Sequence, residues 1–484
     1  MLDASIIGEL AAIVGDDGVF TRPEQLRTYE SDGLASYRSA PELVVLPQTT
    51  EQVQGVVRVC HRERIPFVPR GSGTGLSGGA LPVAGGIVIG LSRMREILSI
   101  DPVNQRAVVQ PGVINLWVTQ RVASSGLYYA PDPSSQQVCS IGGNVAENSG
   151  GAHCLKYGFT ANHVLGLRIV LPDGSLVELG GPALDPPGYD LTGVVVGSEG
   201  TLGVVTEITL RLVRRPEAVQ TLLAAFHHTD AAGEAVTRII SAGVLPAAIE
   251  MMDRLAIEAA EAAVHAGYPL GAGAVLLVEL DGPKAEVTQQ FTAVSAICGD
   301  VGAWELRAAA TDEERALMWR GRKAAFAAVG RISPNYIVQD GVIPRTALPV
   351  VLREIDEMAA AVGLRVANVF HAGDGNLHPL VLFDERDAGA EQRAEALAGD
   401  IIRRCVSHGG SITGEHGVGA DKREHMADMF TAADLASQQL VRCAFDPNHL
   451  ANPGKVYPTP RLCGETPGRY QPHPVELAGL GERF

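Results

Sequence analysis

Two short polar motifs in the last third of the chain carry side chains that could hold a metal ion. VFHAGDGNLHP places His371 and His378 on either side of a glycine-rich turn, and SITGEHGVG places Glu415 beside His416. Two strands joined by this turn would bring both imidazoles to one end of a hairpin. Two imidazoles and one carboxylate with open coordination positions suit Zn²⁺, Mn²⁺ or Fe²⁺. The spacing does not choose among these metals, and a satisfied polar histidine remains the alternative at each position.

The stretch PRGSGTGLSGGA, residues 69–80, could hold a phosphate. It contains GxGxxG at Gly73, Gly75 and Gly78. A Rossmann loop opens directly into a helix, whereas this loop leads through LPVAGG into the strand-like run IVIGL. The sequence therefore indicates a nest of backbone N–H groups around an anion. A flexible glycine-rich hairpin explains the motif equally well when it is taken alone.

Further glycine-rich segments favour a ligand groove over isolated turns. CSIGGNVAENSGG starts at Cys139, GSEGTLGVV starts at Gly197, and YYAPDPSS precedes the first of them. Glycine weakens regular elements, so several such segments in one part of the chain need a reason. We expect a long groove that holds an extended dinucleotide.

The predicted strands and helices that position these motifs form two successive patterns along the chain. Short strands and single helices alternate from about residue 40 to 215, and strands and helices in ferredoxin-like order follow from about 220 to 310. We predict an α+β chain with a first domain over 1–218 that carries the glycine-rich segments, a second over 219–425 that carries the candidate metal ligands, and a C-terminal segment over 426–484. The Pro-rich tail from Pro458 is expected to be a docking arm.

Composition excludes several classes of protein. The 484 residues include 55 acidic and 39 basic ones without a Lys/Arg-rich block, so no nucleic-acid partner is expected. The N-terminus lacks a basic signal-peptide region and no apolar run reaches the length of a membrane span, so we expect a cytoplasmic location. No CxxCxxC run offers clustered thiolates for an iron–sulfur centre. If the chain does redox chemistry, its electrons must leave by another carrier.

Taken together, the motifs resemble those of one flavoprotein family. They include RGSGTGLSGGALP, YYAPDPSSQ, CSIGGNVAENSGG, GSEGTLGVVTE, FHAGDGNLHPL, GEHGVG and NPGK. The chain is similar over nearly its whole length to the FAD-linked 2-hydroxy-acid oxidases, which include D-lactate dehydrogenases and the FAD subunit of bacterial glycolate oxidase. The resemblance implies a vanillyl-alcohol-oxidase type (PCMH-type) FAD-binding domain, a ferredoxin-like substrate (cap) domain and a C-terminal helical segment.

The resemblance also implies which residues bind FAD. No histidine occurs between Pro69 and Ala80 to attach the flavin covalently, so dissociable FAD is expected. The residues expected to line the cofactor are Pro69, Arg70, Gly71, Ser72, Gly73, Thr74, Gly75, Ser77, Pro131, Asp132, Gly142, Gly143, Asn144, Gly150, Glu199, Gly203, Val205 and Asn452.

In the same family pattern, His371, His378 and Glu415 match the metal ligands and His416 matches the active-site base. The metal would polarise the α-hydroxyl of a 2-hydroxy acid, His416 would take its proton, and the α-hydride would pass to flavin N5. Arg322 is expected to pair with the substrate carboxylate. A solvated arginine is the alternative, because Arg320 and Lys323 lie beside it.

The resemblance further implies the substrate and the electron route. Relatives that act on hydroxyglutarate align a lysine with Val338, and an apolar residue there would leave a distal carboxylate unpaired. Oxidation of glycolate to glyoxylate is therefore expected, with D-lactate as a second substrate. Electrons would pass to a second flavin-type subunit and an iron–sulfur subunit, and then to membrane quinone, so the chain could lie against the inner face of the membrane.

Three alternatives stay open at this point. The chain could be a D-lactate dehydrogenase that acts alone, or a flavin-bearing subunit without catalytic activity. An enzyme of the same fold that uses flavin for non-redox ether-lipid synthesis would need a phosphate-binding active site and a different catalytic set.

Overall fold

The computed structural model of the protein describes residues 2–34, 36–183 and 188–458. Its strands, in chain order, are β1 (Val19–Phe20), β2 (Leu43–Val45), β3 (Phe67–Arg70), β4 (Ile87–Gly90), β5 (Ile97–Asp101), β6 (Arg106–Val109), β7 (Leu127–Tyr128), β8 (Val164–Val170), β9 (Leu176–Gly180), β10 (Val204–Arg211), β11 (Val213–Arg214), β12 (Ala218–Phe226), β13 (Ala248–Asp253), β14 (Ala274–Gly282), β15 (Glu305–Ala308), β16 (Asn335–Val338), β17 (Arg365–His371) and β18 (Pro379–Phe383). Its α-helices are α1 (Ala4–Val14), α2 (Pro23–Leu26), α3 (Thr50–Glu63), α4 (Asn115–Val122), α5 (Ile141–Glu147), α6 (Cys154–Tyr157), α7 (Leu191–Val195), α8 (Thr229–Ser241), α9 (Arg254–Val264), α10 (Lys284–Asp300), α11 (Asp312–Ala328), α12 (Leu348–Ala361), α13 (Ala390–Ser407), α14 (Met426–Met429) and α15 (Ala432–Phe445).

The first sheet carries the glycine loop at its edge. Its order is β1-β2-β4-β3, and β2, β4 and β3 run parallel. The strands β3 and β4 are neighbours joined by the loop over 71–86 without an intervening α-helix. A Rossmann connection is thus absent here, as predicted, and the hairpin alternative is wrong because the two strands are parallel.

A second sheet of antiparallel strands, in the order β5-β6-β10-β8-β9, completes the first half. The predicted hairpin around Asp173 and Gly174 is confirmed by the pairing of β8 with β9. The segment CSIGGNVAENSGG contains a helix that its glycines did not predict, because α5 includes Gly142 and Gly143. Ser140 caps α5 by accepting a hydrogen bond from the Gly143 N–H, which offsets the low helix propensity of glycine.

The third sheet extends the predicted ferredoxin-like unit. Its order is β15-β12-β14-β13-β17-β18-β16, and all neighbours are antiparallel. The first four strands follow the ferredoxin-like order, with α9 as an additional helix between β13 and β14. The later strands lengthen the sheet because β17 pairs with β13 through backbone hydrogen bonds.

Helices cover both faces of this sheet. Along β12, Leu222, Ala224 and Phe226 pack with α8, α10, α12 and α13 on one face. Leu223 and Ala225 alternate with them and pack with α9 and α11 on the other. The central strands of the sheet are therefore buried on both faces and support the side chains at their ends.

The C-terminal segment returns to the first sheet beside β3. The Phe67 N–H donates to the Leu450 carbonyl at 2.8 Å, and the Asn452 N–H donates to the Phe67 carbonyl at 2.8 Å. The Asn452 side-chain amide donates to the carbonyls of Gly79 (2.8 Å) and Glu199 (2.7 Å). One buried side chain thus joins two glycine-rich loops. The expected docking arm lies, except for Pro458, outside the described residues.

Within the described ranges, no helix has both the length and the apolar character that a bilayer span requires.

The Asn452→Ala variant tests the role of this residue as a clamp. It leaves two buried carbonyls without their donor, at about 1–3 kcal/mol each. We expect the free energy of unfolding to fall by about 2–4 kcal/mol, measured from the urea midpoint. Asn104, an exposed residue that bonds to Asp101, provides the control. An Asn452→Ala midpoint no lower than that of Asn104→Ala would contradict this interpretation.

Candidate active site

Three predicted ligand residues converge where β17 ends and β18 begins. The Nε2 atoms of His371 and His378 lie 3.2 and 3.3 Å from the same Glu415 oxygen, Oε1. His371 ends β17 and His378 precedes β18, so the predicted hairpin brings the two rings to within 5.1 Å of each other, nearly perpendicular. The three ligand atoms lie within 4.8 Å of one another.

The protonation states of Glu415 and His378 suit cation binding, whereas His371 must lose a proton when a metal binds. Burial opposes the charged form of His371, but Glu250 and Glu415 raise the pKa of this imidazole well above its ordinary value. Burial opposes ionisation of Glu415, but His371 lowers the pKa of this carboxyl below its ordinary value. Burial, followed by the charges of His416 and His371, lowers the pKa of His378 well below the ordinary value, so the ring is neutral at pH 7. Both nitrogens of His378 are buried without hydrogen-bonding geometry to a partner. A neutral imidazole and a carboxylate are the forms that bind a metal.

Glu250 and Arg322 stand behind His371. Glu250 lies opposite His371 in the β13–β17 pair, and its Oε1 is 2.7 Å from His371 Nδ1. A guanidinium nitrogen of Arg322 lies 2.6 Å from the other Glu250 oxygen. Arg322 is only 2% exposed and does not line the cavity described below. Its nearest charged partner in this structure is thus Glu250, which fixes the orientation of His371.

Asp340 holds the loop that carries Glu415 and His416. Its Oδ2 accepts hydrogen bonds from the backbone N–H groups of Gly414, Glu415 and His416 at 2.7–3.0 Å, and its Oδ1 contacts the ammonium of Lys422. A second carboxylate, Glu199, accepts from the N–H groups at 418 and 419, both at 2.7 Å. Two buried acids from distant segments therefore fix the backbone of GEHGVG.

His416 lies parallel to His378. The ring planes differ by 3°, the centroids are 4.9 Å apart, and Nδ1 of His416 is buried without a hydrogen-bond partner. Burial lowers the pKa of His416, so the imidazole is neutral at pH 7 and can accept a proton. Asp340, His378 and His416 also satisfy a metal-ligand geometry. The bonds that Asp340 makes to the loop and to Lys422 leave it poorly suited to that role.

One large cavity joins the histidine cluster to the glycine-rich loops. It has a volume of about 1010 Å³ and is lined by His378, Glu415 and His416. Most of the residues expected to bind FAD share its wall, namely Pro69, Arg70, Gly71, Ser72, Gly73, Thr74, Gly75, Gly142, Gly143, Asn144, Glu199, Gly203 and Val205.

Five other residues expected near FAD do not line this cavity: Ser77, Pro131, Asp132, Gly150 and Asn452. The carbonyl of Ser77 accepts from the backbone N–H groups at 420 and 421. A Cβ on Gly150 would lie 2.7 Å from Glu415 Oε2, so this glycine gives room to the cluster. The side chain of Arg70 lies under the loop, donating to the carbonyls of Ser31 (2.7 Å) and Ala80 (3.1 Å).

The chain matches two family models. Residues 41–180 match the FAD binding domain, and residues 215–456 match the C-terminal domain of the FAD linked oxidases. It is 52% identical to the glycolate oxidase subunit GlcD of Escherichia coli strain K12, over 91% of this chain and 89% of that protein. The chain belongs to the FAD-linked oxidases.

Further relatives of this FAD-linked oxidase include a second glycolate oxidase subunit, a D-lactate dehydrogenase and a solved structure of the same fold. GlcD of Bacillus subtilis is 40% identical over 89% of this chain and 92% of that protein, and a D-lactate dehydrogenase of Anaerostipes hadrus is 32% identical over 88% and 92%. Solved p-cresol methylhydroxylase superposes with a TM-score of 0.78 at 18% identity, covering 93% of this chain and 96% of that one. The α+β, vanillyl-alcohol-oxidase type fold predicted from the sequence is confirmed.

The cavity of this FAD-linked oxidase fits its cofactor. A Cβ on Gly75 would meet no atom closer than 3.8 Å, so any side chain there would project into the space that the loop encloses. The loop over 69–76 lines the cavity and leaves room beside the backbone of Gly75, which is the space that a pyrophosphate needs at such a loop. The cluster likewise fits a divalent cation, because both nitrogens of His378 lack hydrogen bonds beside an ionised carboxylate.

Sequence reasoning did not find Glu250, Asp340 or Lys422 as parts of the site. Glu250 had a visible signal, since it is a lone acid in the apolar strand AIEMM. Nothing in the sequence marked Asp340 or Lys422, because the two residues are 82 positions apart and meet only in the folded chain.

The Asp340→Asn variant tests the hold on the loop. It leaves the Lys422 ammonium buried without its carboxylate, which costs about 3–5 kcal/mol. We expect the free energy of unfolding to fall by about that amount, and the double variant with Lys422→Met to be less unstable than the sum of the single variants. Chemical denaturation measures both, with Glu234→Gln in the exposed Glu234–Arg238 pair as control. Additive effects would exclude a coupled pair.

Proposed function

We propose that this FAD-linked oxidase oxidises a small 2-hydroxy acid, glycolate to glyoxylate, with D-lactate as a second substrate, using dissociable FAD and a divalent metal. The observation that carries the proposal is the shared cavity. His378, Glu415 and His416 form part of the same wall as the glycine loop of the cofactor site. A substrate bound at the histidine cluster would therefore lie in the same cavity as the flavin.

The names of the relatives support this substrate class. Two are glycolate oxidase subunits and one is a D-lactate dehydrogenase, and both names describe acids with a hydroxyl next to a carboxylate. Val338 lines the cavity as a buried apolar residue. A distal carboxylate facing it would be buried without a partner, which favours a short acid.

His371, His378 and Glu415 would hold the metal, and the glycine loop would hold the pyrophosphate of FAD. When bound, FAD supplies an acceptor for the α-hydride and the metal supplies a Lewis acid for the α-hydroxyl. His416 is the base in this proposal. Its imidazole is neutral and can accept the hydroxyl proton, and near-parallel packing on His378 orients the ring.

The electron route remains part of the proposal. A relative named as a subunit implies further subunits in its own complex. We propose that electrons leave through a second flavin-type subunit and an iron–sulfur subunit towards quinone, with this chain on the cytoplasmic face of the membrane. The alternative, a D-lactate dehydrogenase that acts alone, differs in its main substrate and in its electron acceptor.

Two rival functions have less support. Alkyldihydroxyacetonephosphate synthase, TM-score 0.75 over 94% of this chain and 86% of that one, shares the fold at 20% identity. That likeness extends to the fold alone. A non-catalytic flavin subunit has no need for a cluster of four polar side chains, three of which line the cofactor cavity.

Anaerobic mixing with glycolate tests the reaction. We expect the flavin absorbance near 450 nm to bleach within seconds to minutes, and we expect pretreatment with a chelator to slow bleaching at least 100-fold until Zn²⁺, Mn²⁺ or Fe²⁺ is restored. A flavin that stays oxidised with glycolate and D-lactate rejects the proposed reaction. If chelator treatment removes all metal, as metal analysis would show, and bleaching is not slowed, the reaction does not need a metal.

The His416→Ala variant tests the base. Removing it should slow flavin reduction by about 10²–10⁴-fold while FAD content stays unchanged. Because burial lowers the pKa of His416, its neutral form persists below pH 6.5, and kcat/KM of the unaltered enzyme should fall only as pH drops through that lowered pKa. The acid limb should be absent from the residual activity of His416→Ala. Loss of bound FAD in this variant would assign His416 a structural role instead.

A further inference from the structure

Two acidic side chains meet in the wall of the cofactor cavity. Glu147 ends α5, Glu199 lies in the loop before β10, and both line the cavity. A Cβ on Gly79 would lie 2.7 Å from Glu147 Oε1 and 3.5 Å from Glu199 Oε2, and a Cβ on Gly417 would collide with both side chains. The glycine loop and the GEHGVG loop can therefore pass this pair of acids only because they carry no side chain there.

The two acids differ in their hydrogen bonds. Both oxygens of Glu199 accept from backbone N–H groups of the GEHGVG loop, as described above. Oε2 of Glu147 is buried and has no hydrogen-bond partner in the part of the chain that the structure describes. A buried charge without a partner is costly. The negative charge of the pair therefore belongs on Glu199, and Glu147 is the acid that holds a proton.

The charged groups that act on Glu147 come from three other segments. Glu199 and Asp32 oppose its ionisation and the Lys422 ammonium favours it, but that ammonium contacts Asp340. Burial, followed by the charge of Glu199, raises the pKa of Glu147 well above its ordinary value. Two neighbouring carboxyl groups do not both ionise readily. Glu147 therefore keeps its proton at pH values where an exposed glutamate has lost it.

We propose that Glu147 faces bound FAD as a neutral carboxylic acid and that loss of its proton releases the cofactor. FAD brings a negatively charged pyrophosphate into the cavity that Glu147 lines. A protonated carboxyl group can donate a hydrogen bond to this anionic cofactor, whereas a carboxylate repels it. The inference goes beyond the proposed reaction and rests on the dissociable FAD of the proposed function.

The test follows FAD release from diluted full-length holoenzyme by flavin fluorescence at different pH values. Glu147 is neutral below its raised pKa, so FAD affinity is fully present there and is lost as pH rises through that pKa. We expect the dissociation constant of FAD to rise about tenfold or more between about pH 6 and pH 9. E147Q is neutral at every pH, so it should match the unaltered enzyme within about threefold at the lower pH and lack the rise.

Glu391→Gln provides the matched control, because Glu391 lines the same cavity as an exposed acid. It should keep the pH dependence of the unaltered enzyme. The inference is overturned if E147Q retains the alkaline rise, or if Glu391→Gln loses it equally. FAD that stays bound to the unaltered enzyme at every pH would overturn both this inference and the dissociable FAD of the proposed function. An enzyme that releases FAD as expected but is not reduced by any 2-hydroxy acid rejects the proposed reaction alone.

Discussion

The candidate site depends on one buried carboxylate that holds a stretch of backbone. Asp340 accepts hydrogen bonds from three successive N–H groups of the GEHGVG loop, and the Lys422 ammonium contacts its other oxygen. A loop rich in glycine has many conformations to lose, and charge-assisted hydrogen bonds offset that entropy. Glu415 and His416 can face His378 at close range only because their backbone is fixed first.

Three parts of the chain build the site, and each supplies different groups. The seven-stranded sheet supplies Glu250 and His371 from its buried centre, where the strands are paired and helices cover both faces. The GEHGVG loop supplies the carboxylate and the candidate base. The first half supplies the glycine cradle, which touches this loop through Glu199. A reaction between a substrate and a flavin requires the sheet, the GEHGVG loop and the glycine-rich half to keep fixed positions relative to one another. The buried acids Asp340 and Glu199 make the contacts that join them.

The sequence predicted those features whose cause is local. The spacing of His371 and His378 around a tight turn leads directly to a hairpin, and the missing helix after Gly78 correctly excluded a Rossmann loop. The partners of these motifs could not be predicted, because Glu250, Asp340 and Lys422 meet them only through tertiary packing. Neighbours on a helix are equally hard to separate. Arg322 and Lys323 look interchangeable in sequence, yet one is buried against Glu250 and the other lines the cavity. The α5 helix was not predicted, because the two glycines near its start have low helix propensity. The N-cap hydrogen bond of Ser140 offsets that low propensity.

The return of the C-terminal segment to β3 has a consequence for how the protein is made. The amide of Asn452 reaches the carbonyl of Gly79 across 373 positions of sequence. During synthesis the glycine loop leaves the ribosome long before its clamp exists, and a contact so distant in sequence is slow to form. The two sides of the cofactor compartment can therefore be joined by this clamp only after the whole segment between Gly79 and Asn452 has been synthesised.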